Sequence, residues 1–96
     1  MTAKQQYRSE IGIIRDILGI IVESGRGGVI ISAISRMANV SYNSVNGKCQ
    51  KLVDANLVRS VKDGRICTFF ITEQGAAFFE QLCRFTDMMR AANIRY

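Results

Sequence analysis

The sequence lacks histidine and proline altogether, and it contains three cysteines. With no histidine, a structural zinc site would need more thiols than are present, and the spacing of Cys49, Cys67 and Cys83 does not suggest a metal knuckle. We therefore expect no metal and no cofactor. The plainest interpretation of the cysteines is small buried hydrophobic residues in a reducing cytoplasm, while a disulfide stays open if the source is a hyperthermophile.

Long apolar runs and targeting signals are also missing. The most apolar stretch, 11–22, is interrupted by Arg15 and Asp16 and is too short to span a bilayer. The preceding segment, MTAKQQYRSE, does not resemble a signal peptide. We expect a soluble cytoplasmic protein that does not associate with membranes.

The groups that usually perform catalysis are scarce. There is no histidine to act as a base, no notable pairing of carboxylates and no cysteine with a visible base partner. We therefore predict that the chain is not an enzyme, and no small-molecule substrate is evident.

The excess positive charge lies in the middle of the chain. The formal net charge is +5. The flanks hold equal numbers of basic and acidic residues, so the segment 24–72 carries the whole excess. That segment contains seven basic residues against two acidic ones: Arg26, Arg36, Lys48, Lys51, Arg59, Lys62 and Arg65 against Asp54 and Asp63. This asymmetry favours a polyanionic partner, most often nucleic acid.

Apolar periodicity predicts a first helix over about 9–23. Two apolar stripes lie side by side on it, which makes the apolar face wider than a small monomer usually needs. The stripes are Ile11, Ile14, Leu18 and Ile21, and Ile13, Ile17 and Ile20. The glycines of SGRGG then predict a C-cap at Gly25 and a flexible joint.

A helix-turn-helix is predicted next. A short helix ends at about Ala38, and Asn39 is suited to a left-handed turn. Ser41 is a good N-cap for a third helix that runs to about Ala55, where Asn56 closes it. On this helix Val45, Cys49 and Leu52 share one face.

The period then changes toward that of strands. LVRSVK and RICTFFI are rich in β-branched and aromatic residues, and Asp63-Gly64 between them predicts a hairpin with a type I′ turn. In that register Lys62 faces Arg65 and Val61 faces Ile66. Two opposed cations would repel one another unless an anion lies between them.

A last helix is predicted from Thr72 to about Ala92. The resulting order is helix, helix, turn, helix, hairpin, long C-terminal helix, which is a mainly α winged helix-turn-helix with a small β-hairpin. We predict a single domain, 1–96, with an N-terminal arm at 1–8, a core and wing at 9–72, and a dimerisation helix at 73–92.

The chain resembles the small archaeal winged-helix DNA-binding proteins over most of its length. The resemblance is carried by ANVSY, residues 38–42, at the entry to the third helix, and by ITEQG, residues 71–75, at the start of the last helix. It implies that the third helix enters the DNA major groove and that the wing touches the backbone or minor groove. It also implies dimerisation through the terminal helices.

The outward face of the third helix is the predicted reading surface. Asn and Gln can bond bidentately to adenine, Ser can contact base edges or phosphate, and Gly permits close backbone approach. The predicted DNA-binding residues are Arg36, Ser41, Asn43, Ser44, Gly47, Lys48, Gln50, Lys51, Lys62 and Arg65. The alternative is a polar face that is only solvated and contacts no DNA. For Tyr42 we favour packing of the ring in the core, with its hydroxyl exposed to water, over a place in the groove.

Spare apolar stripes on the terminal helices favour a homodimer. The heptad-like recurrence of Phe78, Leu82, Phe85 and Met89 would otherwise be the core face of a single domain. The predicted dimerisation residues are Ile13, Ile17, Ile20, Phe78, Leu82, Phe85 and Met89.

These observations favour a sequence-specific transcriptional regulator that binds double-stranded DNA as a homodimer, in the cytoplasm and associated with the nucleoid. Non-specific DNA packaging by the same basic surface is the alternative. A protein–protein interaction module fits less well, because the middle segment is basic rather than apolar or acidic.

Overall fold

The computed structural model describes residues 9–94, and the predicted arm at 1–8 lies outside them. The predicted order of elements is confirmed, with one short strand added before the second helix. The helices are α1 (Glu10–Ser24), α2 (Ile31–Ala38), α3 (Tyr42–Asp54) and α4 (Glu73–Ala91), and the strands are β1 (Val29–Ile30), β2 (Val58–Asp63) and β3 (Ile66–Ile71). A 3₁₀ turn, Gly25–Gly27, joins α1 to β1.

Hydroxyl side chains begin three of the helices. Ser9, Ser41 and Thr72 each accept a hydrogen bond from the backbone N–H three residues later, at 3.0, 3.2 and 2.9 Å. Each bond satisfies one of the N–H groups that a helix leaves without an internal partner. The predicted caps at Ser41 and Thr72 are confirmed.

Residues with positive φ end the first three helices. Gly25, Asn39 and Asn56 have φ of 61°, 58° and 65°. Asparagine tolerates this conformation better than most residues, because its side chain can bond locally to the backbone. The left-handed turn predicted at Asn39 therefore forms, and it sets α3 directly after α2 with only a three-residue connection, 39–41.

A third strand was not anticipated by the sequence. β1 pairs antiparallel with β3, so that the strand order is β1-β3-β2. Where a flexible joint was predicted, Gly28 is tightly packed: a Cβ there would lie 2.6 Å from the Phe70 ring and 2.7 Å from Thr68. The absence of a side chain lets the Phe70 ring cover the backbone at this point.

The predicted register of the wing is wrong by two residues. Asp63 pairs with Ile66 and Lys62 with Cys67, so the two central residues of the turn are Gly64 and Arg65. Gly64 has φ of 64° and Arg65 has no positive φ, which is the pattern of a type II′ turn rather than type I′. Lys62 and Arg65 therefore do not face one another, and the predicted cation repulsion is absent from this hairpin.

The core is built around α1. This helix contacts α2, α3, α4, β1 and β3, which explains why its apolar face is wide. The assignment of Ile17 to a dimer surface is wrong, because its side chain is 0% exposed within the chain. The buried apolar residues are Ile17, Leu18, Ile21, Ile31, Ile34, Ala38, Val45, Cys49, Leu52, Val58 and Phe69.

The N-terminus of α4 crosses the backbone that leads into β2. Gly75 is buried, and a Cβ there would lie 1.8 Å from the Leu57 carbonyl oxygen. The same carbonyl accepts a 3.2 Å hydrogen bond from the Thr72 N–H, and the Thr72 hydroxyl donates to the Asn56 carbonyl. Asn56 in turn donates from its side chain to Gln74. The ITEQG segment thus fixes α4 to the end of α3.

Within residues 9–94 no helix is long and apolar enough to cross a membrane. Over the same range, no group of three or more cysteine or acidic side chains is placed to hold a metal ion.

Candidate nucleic-acid interface

Helix α3 presents two chemically distinct faces. Val45, Cys49 and Leu52 are buried in the core, as their spacing predicted. Burial raises the pKa of the Cys49 thiol to about 12, and the nearby Cys67 acts in the same direction. Cys49 is therefore a protonated, apolar part of the core at neutral pH. The opposite face carries the short polar side chains and is turned to solvent.

The first turns of α3 carry the most open part of that face. Asn43 and Gly47, four residues apart, are exposed, and nothing lies within 4 Å of a Cβ at Gly47. Ser44 and Lys48 are half-buried along the side of the same face, and Ser41 is exposed at the cap. A polar groove or a phosphate can approach this half of the helix without displacing protein atoms.

The last turn of α3 carries an acidic side chain as well as polar ones. Gln50 is exposed, and its side-chain amide donates a 3.1 Å hydrogen bond to the Asp54 carboxylate one turn later. An amide engaged in this way keeps its carbonyl oxygen and one N–H for another partner. Asp54 places a negative charge beside Gln50, whereas the first half of α3, residues 42–48, contains no acidic side chain.

Lys51 is not a free cation in this structure. Its Nζ lies 2.7 Å from Glu10 Oε2, at the first turn of α1. The hydrogen bond from Lys51, its charge and the charge of Lys48 hold the pKa of the Glu10 carboxyl below its ordinary value. The ion pair links two helices whose paired residues are 41 positions apart in the sequence. The periodicity of a single helix cannot predict a contact of this kind.

The remaining predicted cations lie on α2 and the wing, two elements that contact α3. Arg36, in the last turn of α2, and Lys62 and Arg65, on the wing, are exposed. Arg59 lies on the outer face of the wing with its guanidinium 4.6 Å from the centre of the Phe70 ring. Arg65 occupies the turn itself, so that its side chain extends from the tip of the hairpin.

The expected core packing of Tyr42 is wrong. This side chain is 55% exposed. Its angle on a helical wheel points toward the core, but Tyr42 is the first residue of α3 and has no preceding turn to pack against. Its position directly after the Ser41 cap could have indicated an exposed side chain, and it places an aromatic ring on the surface beside the start of α3.

The predicted dimerisation residues divide between two environments. Ile13, Ile20 and Leu82 are partly buried and pack against the core, and Met89 is half-buried. Phe78 and Phe85 are 41% and 45% exposed, and Met88, which the prediction omitted, is 68% exposed. The exposed apolar stripe of α4 is therefore Phe78, Phe85 and Met88, shifted from the predicted seam because Leu82 turns inward beside Phe79.

Comparison with known proteins identifies the arrangement. A family model described as winged helix-turn-helix matches residues 7–90. No curated protein matches the chain.

Solved structures with the same fold come from archaea and bacteria. Sso10a-2, a DNA-binding protein from Sulfolobus solfataricus, has a TM-score of 0.77 at 17% identity, over 90% of this chain and 86% of that one. AF1382 from Archaeoglobus fulgidus has a TM-score of 0.69 at 23% identity, with 84% and 90% covered. A MarR-family transcriptional regulator from Rhodococcus sp. RHA1 has a TM-score of 0.77 at 17% identity, with 84% and 58% covered.

Proposed function

The chain belongs to the winged helix-turn-helix family, and we propose that it is a sequence-specific transcriptional regulator that binds double-stranded DNA as a homodimer. The proposal is for a binding protein rather than an enzyme. Its partners would be DNA and a second copy of the chain, in the cytoplasm and associated with the nucleoid. Solved neighbours described as a DNA-binding protein and as a transcriptional regulator are consistent with it.

One observation carries the proposal. The exposed half of α3 is rich in side chains that bond to bases and poor in good helix formers, and cations lie on α3 itself and on α2 and the wing, which both contact it. Asparagine and glycine each weaken a helix relative to alanine, so an ordinary solvated face would not favour them. Contact with base edges explains their presence, because these side chains carry the needed donors and acceptors or permit close approach.

In the proposed complex α3 lies in the major groove. Asn43 would bond to a base edge, Gly47 would allow the helix backbone to approach closely, and Ser41 would meet a phosphate at the helix N-terminus. Arg36 and Lys48 would contact phosphates on either side of the groove, and these contacts fix the orientation of the helix.

The wing would contact the neighbouring backbone or minor groove. Arg65 at the turn and Lys62 beside it provide the positive charge for this contact. The corrected register favours this role, since Arg65 extends from the tip instead of facing Lys62 across the turn.

The first test is the salt dependence of binding. We expect the chain to bind a fluorescent random-sequence duplex, with log K falling linearly against log salt by about 0.9 for each phosphate contact. Fluorescence anisotropy between about 0.05 and 0.5 M salt measures this slope. Absence of binding at the lowest salt would contradict the proposal and leave a protein partner as the surviving function.

Non-specific DNA packaging uses the same basic surface and is the second candidate. It predicts the same steep salt dependence but nearly equal affinity for all duplex sequences. Comparison of a selected duplex with a scrambled one therefore separates the two functions.

The dimer is proposed to form through the exposed stripe of α4. Phe78 and Phe85 are seven residues apart and Met88 is three further on, which is the spacing of a helix–helix seam. A two-fold dimer would present two copies of α3 to half-sites of a pseudo-palindrome.

A double substitution, Phe78→Glu with Phe85→Glu, tests this dimer. We expect the parent chain to sediment as a dimer and the variant as a monomer with unchanged helicity, because both side chains are already exposed in the single chain. The dissociation constant should rise by at least about 100-fold, since two apolar contacts are replaced by charges. Analytical ultracentrifugation and far-UV circular dichroism measure the two quantities.

Ala76→Glu is the matched control, because Ala76 is exposed on α4 but lies away from the stripe. It should leave the dimer intact. A double variant that remains dimeric would contradict the assignment of the interface to α4.

A further inference from the structure

We propose that Glu10 is an internal competitor of the DNA backbone: it holds Lys51 in an ion pair and thereby weakens sequence-independent binding more than specific binding. This inference rests on the proposed DNA-binding function, and it assigns a role in selectivity to a residue on α1, which lies outside the helix-turn-helix.

The Glu10 carboxylate makes the contact with the Lys51 ammonium that a phosphate oxygen would make in a complex with DNA. Lys51 extends from the last turn of α3 toward the first turn of α1, and its Nζ lies 2.7 Å from Glu10 Oε2. The side chains are 66% and 54% exposed, so the pair is open to solvent and to a competing anion. A phosphate oxygen and a carboxylate oxygen make the same charge-assisted hydrogen bond to an ammonium group.

Glu10 is held in position by the helix that carries it. It is the first residue of α1, directly after the Ser9 cap, and an acidic side chain is favoured there by the helix dipole. Lys48 lies close enough for its charge to act on the same carboxyl. Lys51 makes the hydrogen-bonded ion pair with this carboxylate, and Lys48 acts on it only through its charge.

The consequence for selectivity follows from the two kinds of contact. Sequence-independent binding comes almost entirely from neutralised phosphates, whereas specific binding adds contacts to base edges. A lysine that stays paired with Glu10 neutralises no phosphate and therefore displaces no counterion from the DNA. The missing phosphate contact of Lys51 therefore removes a larger share of the sequence-independent affinity than of the specific affinity.

The decisive variant is Glu10→Gln, which keeps the size of the side chain and removes its charge. We expect log K for a random-sequence duplex to fall more steeply against log salt, by about 0.9 for each bound protomer. The variant should bind more tightly than the parent at low salt, and this advantage should shrink about eight-fold for a ten-fold rise in salt.

Glu23→Gln is the matched control. Glu23 is exposed and lies in the last turn of the same helix, so this variant has the same net charge as Glu10→Gln but leaves Lys51 paired. Its salt slope should equal that of the parent. Melting temperatures of both variants verify that the fold is retained.

A double-mutant cycle with Lys51→Gln isolates the pair. In the Lys51→Gln background, Glu10→Gln should no longer steepen the salt dependence. If Glu10→Gln leaves the slope unchanged, Glu10 does not compete for Lys51, and if it weakens binding in the parent background, Glu10 positions Lys51 for phosphate instead. Either result overturns the inference, and so does an equal gain in affinity for a selected duplex and a random one. Failure of the parent chain to bind any duplex would overturn the proposed function as well, so the two failures are distinguishable.

Discussion

Replacement of Gly75 by alanine is expected to destabilise the fold by about 3 kcal/mol, near the upper end of the cost of overpacking a core. A Cβ at this position would lie 1.8 Å from the Leu57 carbonyl oxygen and 2.8 Å from Ile71 Cδ1. The nearest atom is backbone, so it cannot move aside as a flexible side chain would. Either α4 must shift or the turn between α3 and β2 must distort.

Urea unfolding followed by far-UV circular dichroism measures this change. Gly47→Ala is the matched control, because it makes the same substitution inside a helix but at a site with nothing within 4 Å. It should stabilise the fold by about 1 kcal/mol, since alanine is the better helix former. Equal stability of the Gly75→Ala variant and the parent would contradict the packing of α4 against Leu57.

Asn43→Ala is expected to relax the sequence preference of binding at one base pair in each half-site. An asparagine that bonds to a base edge discriminates against the wrong base by about 1–3 kcal/mol, which corresponds to a loss of about 5- to 150-fold in affinity for the preferred duplex. Affinity for a scrambled duplex should change little, because Asn43 carries no charge. Competition binding between the two duplexes measures the ratio.

Lys48→Gln provides the contrast. Removal of a phosphate contact should weaken binding to both duplexes alike and reduce the salt slope by about 0.9 for each protomer. If Asn43→Ala instead weakened both duplexes equally, the outward face of α3 would not read bases, and the packaging function would be favoured.

The local signals in the sequence were strong enough to predict most of the fold. Ser41 and Thr72 cap helices as expected, and Asn39 takes the left-handed turn that joins α2 to α3. These features depend on a few neighbouring residues, and their physical chemistry is the same in any context. The polar outward face of α3 was visible for the same reason, since Val45, Cys49 and Leu52 set its orientation.

Features that depend on distant parts of the chain were missed. β1 is only two residues long and forms because β3 lies beside it. The wing register depends on which residues of β3 are buried in the core, and Phe69 is one of them. In the register that buries Phe69 the turn lies at Gly64-Arg65 instead of Asp63-Gly64. Ile17 was assigned outward because the periodicity of α1 does not show how many elements surround that helix.

The glycine of the ITEQG segment has a structural reason that the local sequence does not reveal. The segment is part of the resemblance to the archaeal winged-helix proteins, but nothing in the neighbouring residues explains Gly75. In the structure Gly75 admits the Leu57 carbonyl, and Gln74 accepts a hydrogen bond from the Asn56 side chain. The motif therefore joins the end of α3 to the start of α4, which links the proposed reading helix to the proposed dimer helix.

The most direct test of the proposed function is selection from a pool of random duplexes at about 0.2 M salt, a concentration at which weak phosphate contacts are strongly reduced. The purified chain is the only protein required, and the bound duplexes are sequenced. We predict recovery of a motif with two-fold symmetry, as a dimer with two copies of α3 requires. Duplexes that bind without any shared motif would contradict a sequence-specific regulator.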